Sequence, residues 1–81
     1  MKIGIIGLGY VGLPLVIQFA KSGVQVLGID VDDKKVEALN CGESYIKHIP
    51  SSALQAQLKS GLIEATTDYQ RVKELDAVLI C

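Results

Sequence analysis

Three glycines near the amino terminus restrict this chain more than any other feature of its sequence. Gly7, Gly9 and Gly12 follow directly after the β-branched run Lys2–Ile6 and open an apolar stretch over residues 11–21. A short, nearly continuous apolar run is typical of a strand in a parallel sheet that is covered on both faces. In the stretch that follows, apolar residues recur at i, i+4 and i+8, which predicts a helix. The glycines therefore mark a strand-to-helix turn.

The remainder of the chain alternates strand-like and helix-like segments. Strands are predicted over 25–29, 63–67 and 77–81, and helices over 33–40, 52–60 and 69–73. Glycines at 23, 42 and 61 are predicted to end the three longer helices. Asp32 and Asp68 are predicted caps, and Ser52 with Gln55 forms a capping-box pattern.

Strands that alternate with helices indicate βαβ units with right-handed crossovers. We therefore predict an α/β fold, a Rossmann-type three-layer parallel sheet with strand order 3-2-1-4. Residues 1–81 would form one domain, a partial dinucleotide-binding domain truncated after its fourth strand. That expectation rests on the apolar run Ala77–Cys81, after which the sequence has neither a turn nor a polar cap.

The spacing Gly7-x-Gly9-x-x-Gly12 gains meaning from an acid, Asp30, which lies 18 residues past the last glycine at the end of the second strand. This arrangement is typical of dinucleotide-binding turns. Gly7 would permit the sharp turn, Gly9 would let a pyrophosphate approach, and Gly12 would let the helix pack closely. A plain tight turn is the alternative interpretation.

Backbone N–H groups at the start of the first helix, those of Tyr10 and Val11 among them, are candidates for binding the phosphates. Asp30 could accept both hydroxyl protons of an adenosine ribose and would repel the 2′-phosphate of NADP, so the sequence favours NAD. Asp30 could instead serve only as a strand-end cap, and Lys35 could be a solvated helix residue.

Composition excludes several other classes of function. Eight Lys and Arg residues stand against nine Asp and Glu, and the longest basic run is Lys34-Lys35, so nucleic acid is not an expected partner. The longest apolar stretch is far below the roughly 20 residues that cross a bilayer. With no signal-peptide pattern either, we expect a cytoplasmic protein without a membrane partner. Cys41, Cys81 and His48 do not have the spacing of a metal site, so no metal is expected.

Longer stretches of the sequence are more specific than the glycine spacing. The run Lys-Ile-Gly-Ile-Ile-Gly-Leu-Gly-Tyr-Val-Gly-Leu-Pro-Leu over 2–15, then Gly-Ile-Asp-Val-Asp over 28–32 and Asp-Ala-Val-Leu-Ile-Cys over 76–81, resembles the UDP-glucose/GDP-mannose dehydrogenase family. The resemblance covers nearly the whole chain. Within that family, Ser-Tyr-Ile-Lys-His-Ile over 44–49 resembles the UDP-N-acetylglucosamine 6-dehydrogenase branch.

The resemblance implies that Tyr10 and Val11 contact the NAD pyrophosphate and that Asp30 and Lys35 contact the adenosine ribose. It implies an oxidoreductase of polysaccharide biosynthesis that oxidises the C6 alcohol of a UDP-sugar to a carboxylate, using two NAD and a downstream cysteine. None of the catalytic residues would then lie in this chain, which we expect to be inactive alone. Cys41 and Cys81 are expected to be inert, with Cys81 buried, and His48 to shape a loop beside the cofactor or sugar site.

Two other kinds of protein share part of this pattern. An NAD-sensing regulatory module of the potassium-transport type also carries the glycines and the acid, and some hydroxyacid dehydrogenases carry Asn-Arg where this chain has Asp30-Val31. UDP-glucose is the alternative sugar. Strand four would form an apolar edge, and we expect homo-oligomers to cover it.

Overall fold

The computed structural model describes residues 1–81 and has a four-stranded parallel sheet at its centre. The strands are β1 (Lys2–Ile6), β2 (Gln25–Ile29), β3 (Ile63–Thr66) and β4 (Ala77–Ile80), in the order β3-β2-β1-β4. The helices are α1 (Gly12–Lys21), α2 (Asp33–Cys41), α3 (Ser51–Leu58) and a 3₁₀ helix (Tyr69–Glu74). The predicted α/β fold and strand order 3-2-1-4 are confirmed. No helix has the length and apolar character needed to span a membrane.

The two faces of the sheet are covered unequally. One face packs on α1, α2 and α3 in a core of 13 buried residues that includes Ile3, Ile5, Val26, Ile63 and Ala65 from three strands. The crossover from β3 to β4 places the 3₁₀ helix on the other face, where Arg71 pairs with Glu64 of β3. On the same side, the Leu75 side chain lies over Gly4 of β1.

Most of the predicted helix ends are confirmed. Gly23 and Gly42 have φ angles of +83° and +80°, and the backbone N–H groups that follow α1 and α2 bond back to the last turn of each helix. The Asp32 carboxylate accepts the N–H of Lys34 at 2.9 Å, and Asp68 starts the 3₁₀ helix in the same way. Left-handed glycines and short acceptor side chains give local signals that a sequence displays directly.

The capping box predicted at Ser52 and Gln55 is wrong. Helix α3 begins one residue earlier, at Ser51, behind Pro50, and no side chain caps it. Gln55 Nε2 instead donates to the Gly42 carbonyl at 3.1 Å, and Ser51 Oγ accepts the N–H of Ser44 at 3.0 Å. Both side chains tie α3 to the segment that follows α2.

The prediction that Cys81 is buried is also wrong, because β4 lies at the edge of the sheet and its side chains are exposed. In α1, Gly12, Val16 and Ala20, which recur at i, i+4 and i+8, are buried as the periodicity predicts. Val11, where the helix was predicted to begin, is 62% exposed and precedes the helix.

The opposite edge of the sheet is capped by a side chain. Asn40 of α2 donates from Nδ2 to the Ala65 carbonyl and accepts the Ala65 N–H at Oδ1, each at 3.0 Å. The amide thereby satisfies both outward-facing backbone groups of Ala65 in β3, as a neighbouring strand would.

The β4 edge has no such cap, and Val78, Leu79 and Ile80 are 40%, 41% and 82% exposed. We predict that the chain self-associates through this edge, because apolar edge strands pair readily. Ile80→Lys should lower the associated fraction measured by light scattering, whereas Val31→Lys, at a residue that is 80% exposed away from the edge, should not. A monodisperse wild-type monomer at high concentration would contradict the prediction.

Candidate functional site

The glycine turn has the geometry that its spacing predicts. Gly7 has a φ of +97°, and its N–H donates to the Ile29 carbonyl at 2.8 Å. A Cβ at this position would lie 2.5 Å from the Cys81 carbonyl oxygen. Gly7 therefore accommodates both the left-handed turn off β1 and the close approach of the chain at the end of β4.

Gly12 is required by packing within the chain. A Cβ there would overlap the carbonyl group of Gly7 and would also crowd the Ile5 side chain. Helix α1 can begin this close to the end of β1 only because its first residue has no side chain.

Gly9 is different, because nothing in the chain requires a glycine there. Its φ is not in the left-handed region, and a Cβ would have no atom within 4 Å. The empty space beside Gly9 is what the approach of a pyrophosphate to the backbone needs.

The start of α1 presents free hydrogen-bond donors beside that space. The backbone N–H groups of Tyr10 and Val11 donate to no acceptor in the chain, and no side chain caps the helix. The side chains of Tyr10 and Val11 are 75% and 62% exposed, pointing away from the core. Free N–H groups and the positive end of the helix dipole together favour an anion.

Asp30 lies at the end of β2 and is held by the backbone. Its Oδ2 accepts the N–H of Leu8 at 2.8 Å and its Oδ1 accepts the N–H of Asp32 at 2.9 Å. Burial raises the pKa of Asp30, but these backbone hydrogen bonds and the nearby charge of Lys35 outweigh it and lower the pKa below its ordinary value. The carboxylate is therefore ionised at neutral pH, and each oxygen keeps a free lone pair for a hydroxyl.

A single cavity of about 350 Å³ brings all the predicted site residues together. Asp30 and Lys35 line it together with the start of α1, and the Asp30 carboxylate also accepts the backbone N–H groups of Leu8 and Asp32. Its lining comprises the seven predicted residues with Leu8 and Cys81 added: Gly7, Leu8, Gly9, Tyr10, Val11, Gly12, Asp30, Lys35 and Cys81.

A second cavity, also of about 350 Å³, adjoins the first and shares Gly9, Tyr10 and Lys35 with it. Its far wall comes from the segment after α2, through Tyr45 and Ile46. Sequence reasoning missed Tyr45, whose hydroxyl donates to the Leu8 carbonyl at 2.5 Å. The only available signal was the Ser-Tyr-Ile-Lys-His-Ile stretch, which indicated a loop near the site but no particular contact.

The remaining candidate residues are the two cysteines and His48. No group of three or more His, Cys, Asp or Glu side chains is arranged to hold a metal ion. Cys41 and Cys81 are exposed free thiols. His48 packs against Tyr10, with ring centroids 6.3 Å apart and planes inclined by 17°.

Comparison with known proteins decides what this site belongs to. The model of the UDP-glucose/GDP-mannose dehydrogenase family, NAD binding domain, matches residues 1–81. The chain belongs to this family. Its cofactor is therefore NAD, in agreement with the space at Gly9, the free N–H groups and the ionised Asp30.

Individual relatives of this NAD-binding domain act on different sugars. The UDP-N-acetyl-D-mannosamine dehydrogenase of Salmonella typhi is 37% identical over 79 residues, covering 96% of this chain and 18% of the relative. The UDP-N-acetyl-D-glucosamine 6-dehydrogenase of the same organism is 36% identical over 80 residues, covering 99% and 18%. The crystal structure of GDP-mannose dehydrogenase from Pseudomonas aeruginosa superposes with a TM-score of 0.93 at 35% identity, covering 100% and 19%.

This chain thus spans about a fifth of the length of these relatives. The family model matches residues 1–81, which include every residue that lines the cavity between the glycine turn and Asp30.

The glycines allow packing and ligand binding to be tested separately. We predict that Gly12→Ala lowers the free energy of unfolding in urea by about 1–3 kcal/mol, because a methyl group must displace backbone. Gly9→Ala should change it by less than about 0.5 kcal/mol, as for an unconstrained surface position, while weakening NAD binding. Equal stability losses in the two variants would show that the close approach at Gly12 is not what limits packing.

Proposed function

We propose that this chain is the NAD-binding part of a nucleotide-sugar 6-dehydrogenase that oxidises the C6 alcohol of a UDP-sugar to a carboxylate, consuming two NAD. UDP-N-acetylglucosamine is the substrate we propose. The observation that carries the proposal is the single cavity lined by the glycine turn, the free N–H groups of Tyr10 and Val11, Asp30 and Lys35.

Each residue of that cavity has a task that follows from its chemistry. The N–H groups of Tyr10 and Val11 would bind the pyrophosphate, with Gly9 leaving room for it. The carboxylate of Asp30 would accept the hydroxyl protons of the adenosine ribose, and Lys35 would donate to the same ribose. NAD, when bound, supplies the hydride acceptor. The chain's own role is to bind and orient it.

The choice of sugar rests on the segment 44–49, whose sequence resembles that of the UDP-N-acetylglucosamine 6-dehydrogenases. Overall identity does not discriminate, because the two Salmonella typhi relatives named for different N-acetylated sugars are 37% and 36% identical to this chain. UDP-glucose is the alternative substrate. The family match favours a dehydrogenase over an NAD-sensing module.

Other properties belong to the same proposal. A cytoplasmic location fits a protein that uses NAD and a nucleotide sugar, and the product would serve polysaccharide biosynthesis. The expected partners are NAD, the UDP-sugar in the complete enzyme and further copies of the same chain. Nucleic acid is not expected, given eight basic against nine acidic side chains.

Asp30 tests the assignment of the cofactor. We predict that Asp30→Asn weakens NAD binding about tenfold or more, because it removes charge-assisted hydrogen bonds. It should also narrow the preference for NAD over NADP, since the repulsion of the 2′-phosphate is lost. The matched control is Asp33→Asn, which removes a charge at an exposed position at the start of α2 and should leave both quantities nearly unchanged. Titrations with NAD and NADP measure both, and an unchanged NAD to NADP ratio in Asp30→Asn would refute the ribose role.

Activity tests the assignment of the reaction. The complete protein should form two NADH for each UDP-N-acetylglucosamine consumed. The 81-residue chain alone should form none, because the proposed catalytic cysteine lies outside it. Absorbance at the NADH band, with UDP-glucose and UDP-N-acetylmannosamine as competing substrates, measures this. NADH formation by the isolated chain would overturn the assignment of catalysis to other segments.

A further inference from the structure

The segment between α2 and α3 touches the glycine turn with one specific polar contact. The Tyr45 hydroxyl donates to the carbonyl oxygen of Leu8 at 2.5 Å, across 37 residues of sequence. Leu8 lies between the first two glycines, so this bond reaches the turn whose N–H groups line the cavity. The contact is not part of the binding roles assigned above to the glycines, Asp30 and Lys35.

Leu8 is fixed on both sides by this arrangement. Its N–H donates to Asp30 Oδ2 at 2.8 Å, its carbonyl accepts from Tyr45, and its side chain is fully buried. The peptide bond from Leu8 to Gly9 is trans, so the Gly9 N–H points away from the carbonyl that Tyr45 holds. Fixing that carbonyl therefore fixes the direction in which the next N–H points.

The segment that carries Tyr45 is itself anchored. Ile46 is buried in the main core at 4% exposure, and Ser44 bonds to Ser51 at the start of α3. The Ile49 N–H donates to the Ile46 carbonyl at 3.0 Å. Tyr45 thus lies directly before a tight turn, between the anchored residues Ser44 and Ile46.

The hydroxyl of Tyr45 is suited to donate. Burial, together with the negative charges of Asp30 and Asp32, raises the pKa of Tyr45 to about 12. The proton therefore stays on the oxygen at neutral pH. A hydrogen bond accepted by the Leu8 carbonyl also polarises the peptide group between Leu8 and Gly9. The Gly9 N–H, which belongs to that peptide group, becomes a stronger donor.

We propose that Tyr45 is a positioning residue for the cofactor: by holding the Leu8 carbonyl, it aligns the peptide groups of the glycine turn toward the phosphates of the dinucleotide. The inference rests on the proposed NAD-binding function and adds a residue from outside the glycine turn and β2 to that site. In this proposal, Tyr45 supports the binding of the phosphates of the ligand and not the binding of its ribose.

Tyr45→Phe tests this directly, because it removes one oxygen and leaves the ring in place. In the full chain, the Kd for NAD should rise about three- to tenfold, the effect of one hydrogen bond. The Kd for adenosine, which has no phosphate, should stay within about twofold. Tyr69→Phe is the matched control, since the Tyr69 side chain lies on the 3₁₀ helix away from the site. NMR titration measures both ligands, and the Gly9 amide proton of the free chain should shift upfield in Tyr45→Phe only.

The outcomes separate the two proposals. If wild-type chain binds NAD and Tyr45→Phe binds it equally well, the role of Tyr45 is overturned while the NAD site stands. If Tyr45→Phe weakens NAD and adenosine by the same factor, the residue acts on general stability and not on the phosphates, which also overturns the inference. If the wild-type chain shows no binding of NAD, the proposed function fails and the inference fails with it.

Discussion

The approach of Gly12 to the carbonyl of Gly7 is the contact on which the rest of the site depends. It brings the first turn of α1 directly onto the end of β1, at a separation that no side chain would permit. The helix axis, and with it the direction of the free N–H groups of Tyr10 and Val11, follows from that contact. A helix displaced by the size of one methyl group would point the same donors at a different place, so packing and ligand geometry are set by one glycine.

Asp30 links this turn to the second strand. Each of its two carboxylate oxygens accepts one backbone N–H group, that of Leu8 or that of Asp32. A carboxylate has about four acceptor positions, and two remain. The backbone hydrogen bonds keep the carboxylate ionised despite its burial. An ionised acid held in this way keeps two acceptor positions free at the edge of the cavity.

Local sequence signals explain why so much of this fold could be predicted. Strand runs, helix periodicity, left-handed glycines and the Asp32 cap all act within a few residues, and each is found where expected. The strand order could be predicted because the glycine turn and the acid after the second strand are typical of the Rossmann fold, in which the strands follow the order 3-2-1-4. The cavity residues were predictable for the same reason, since the glycine spacing and Asp30 form one short unit.

What could not be predicted depends on side chains that meet across long stretches of sequence. The Asn40 amide that caps β3 reaches over 25 residues, and Tyr45 reaches Leu8 over 37. Gln55 was assigned to a local capping box because its true partner, the Gly42 carbonyl, is visible only in three dimensions. Two of these contacts, those of Tyr45 and of the Gly42 carbonyl, start from the stretch between α2 and α3 or end on it. That stretch links the periphery of the fold to the glycine turn. A change at Tyr45 therefore alters the support of the glycine turn without altering any residue of the turn itself, so the turn depends on a side chain that lies 37 residues away in the sequence.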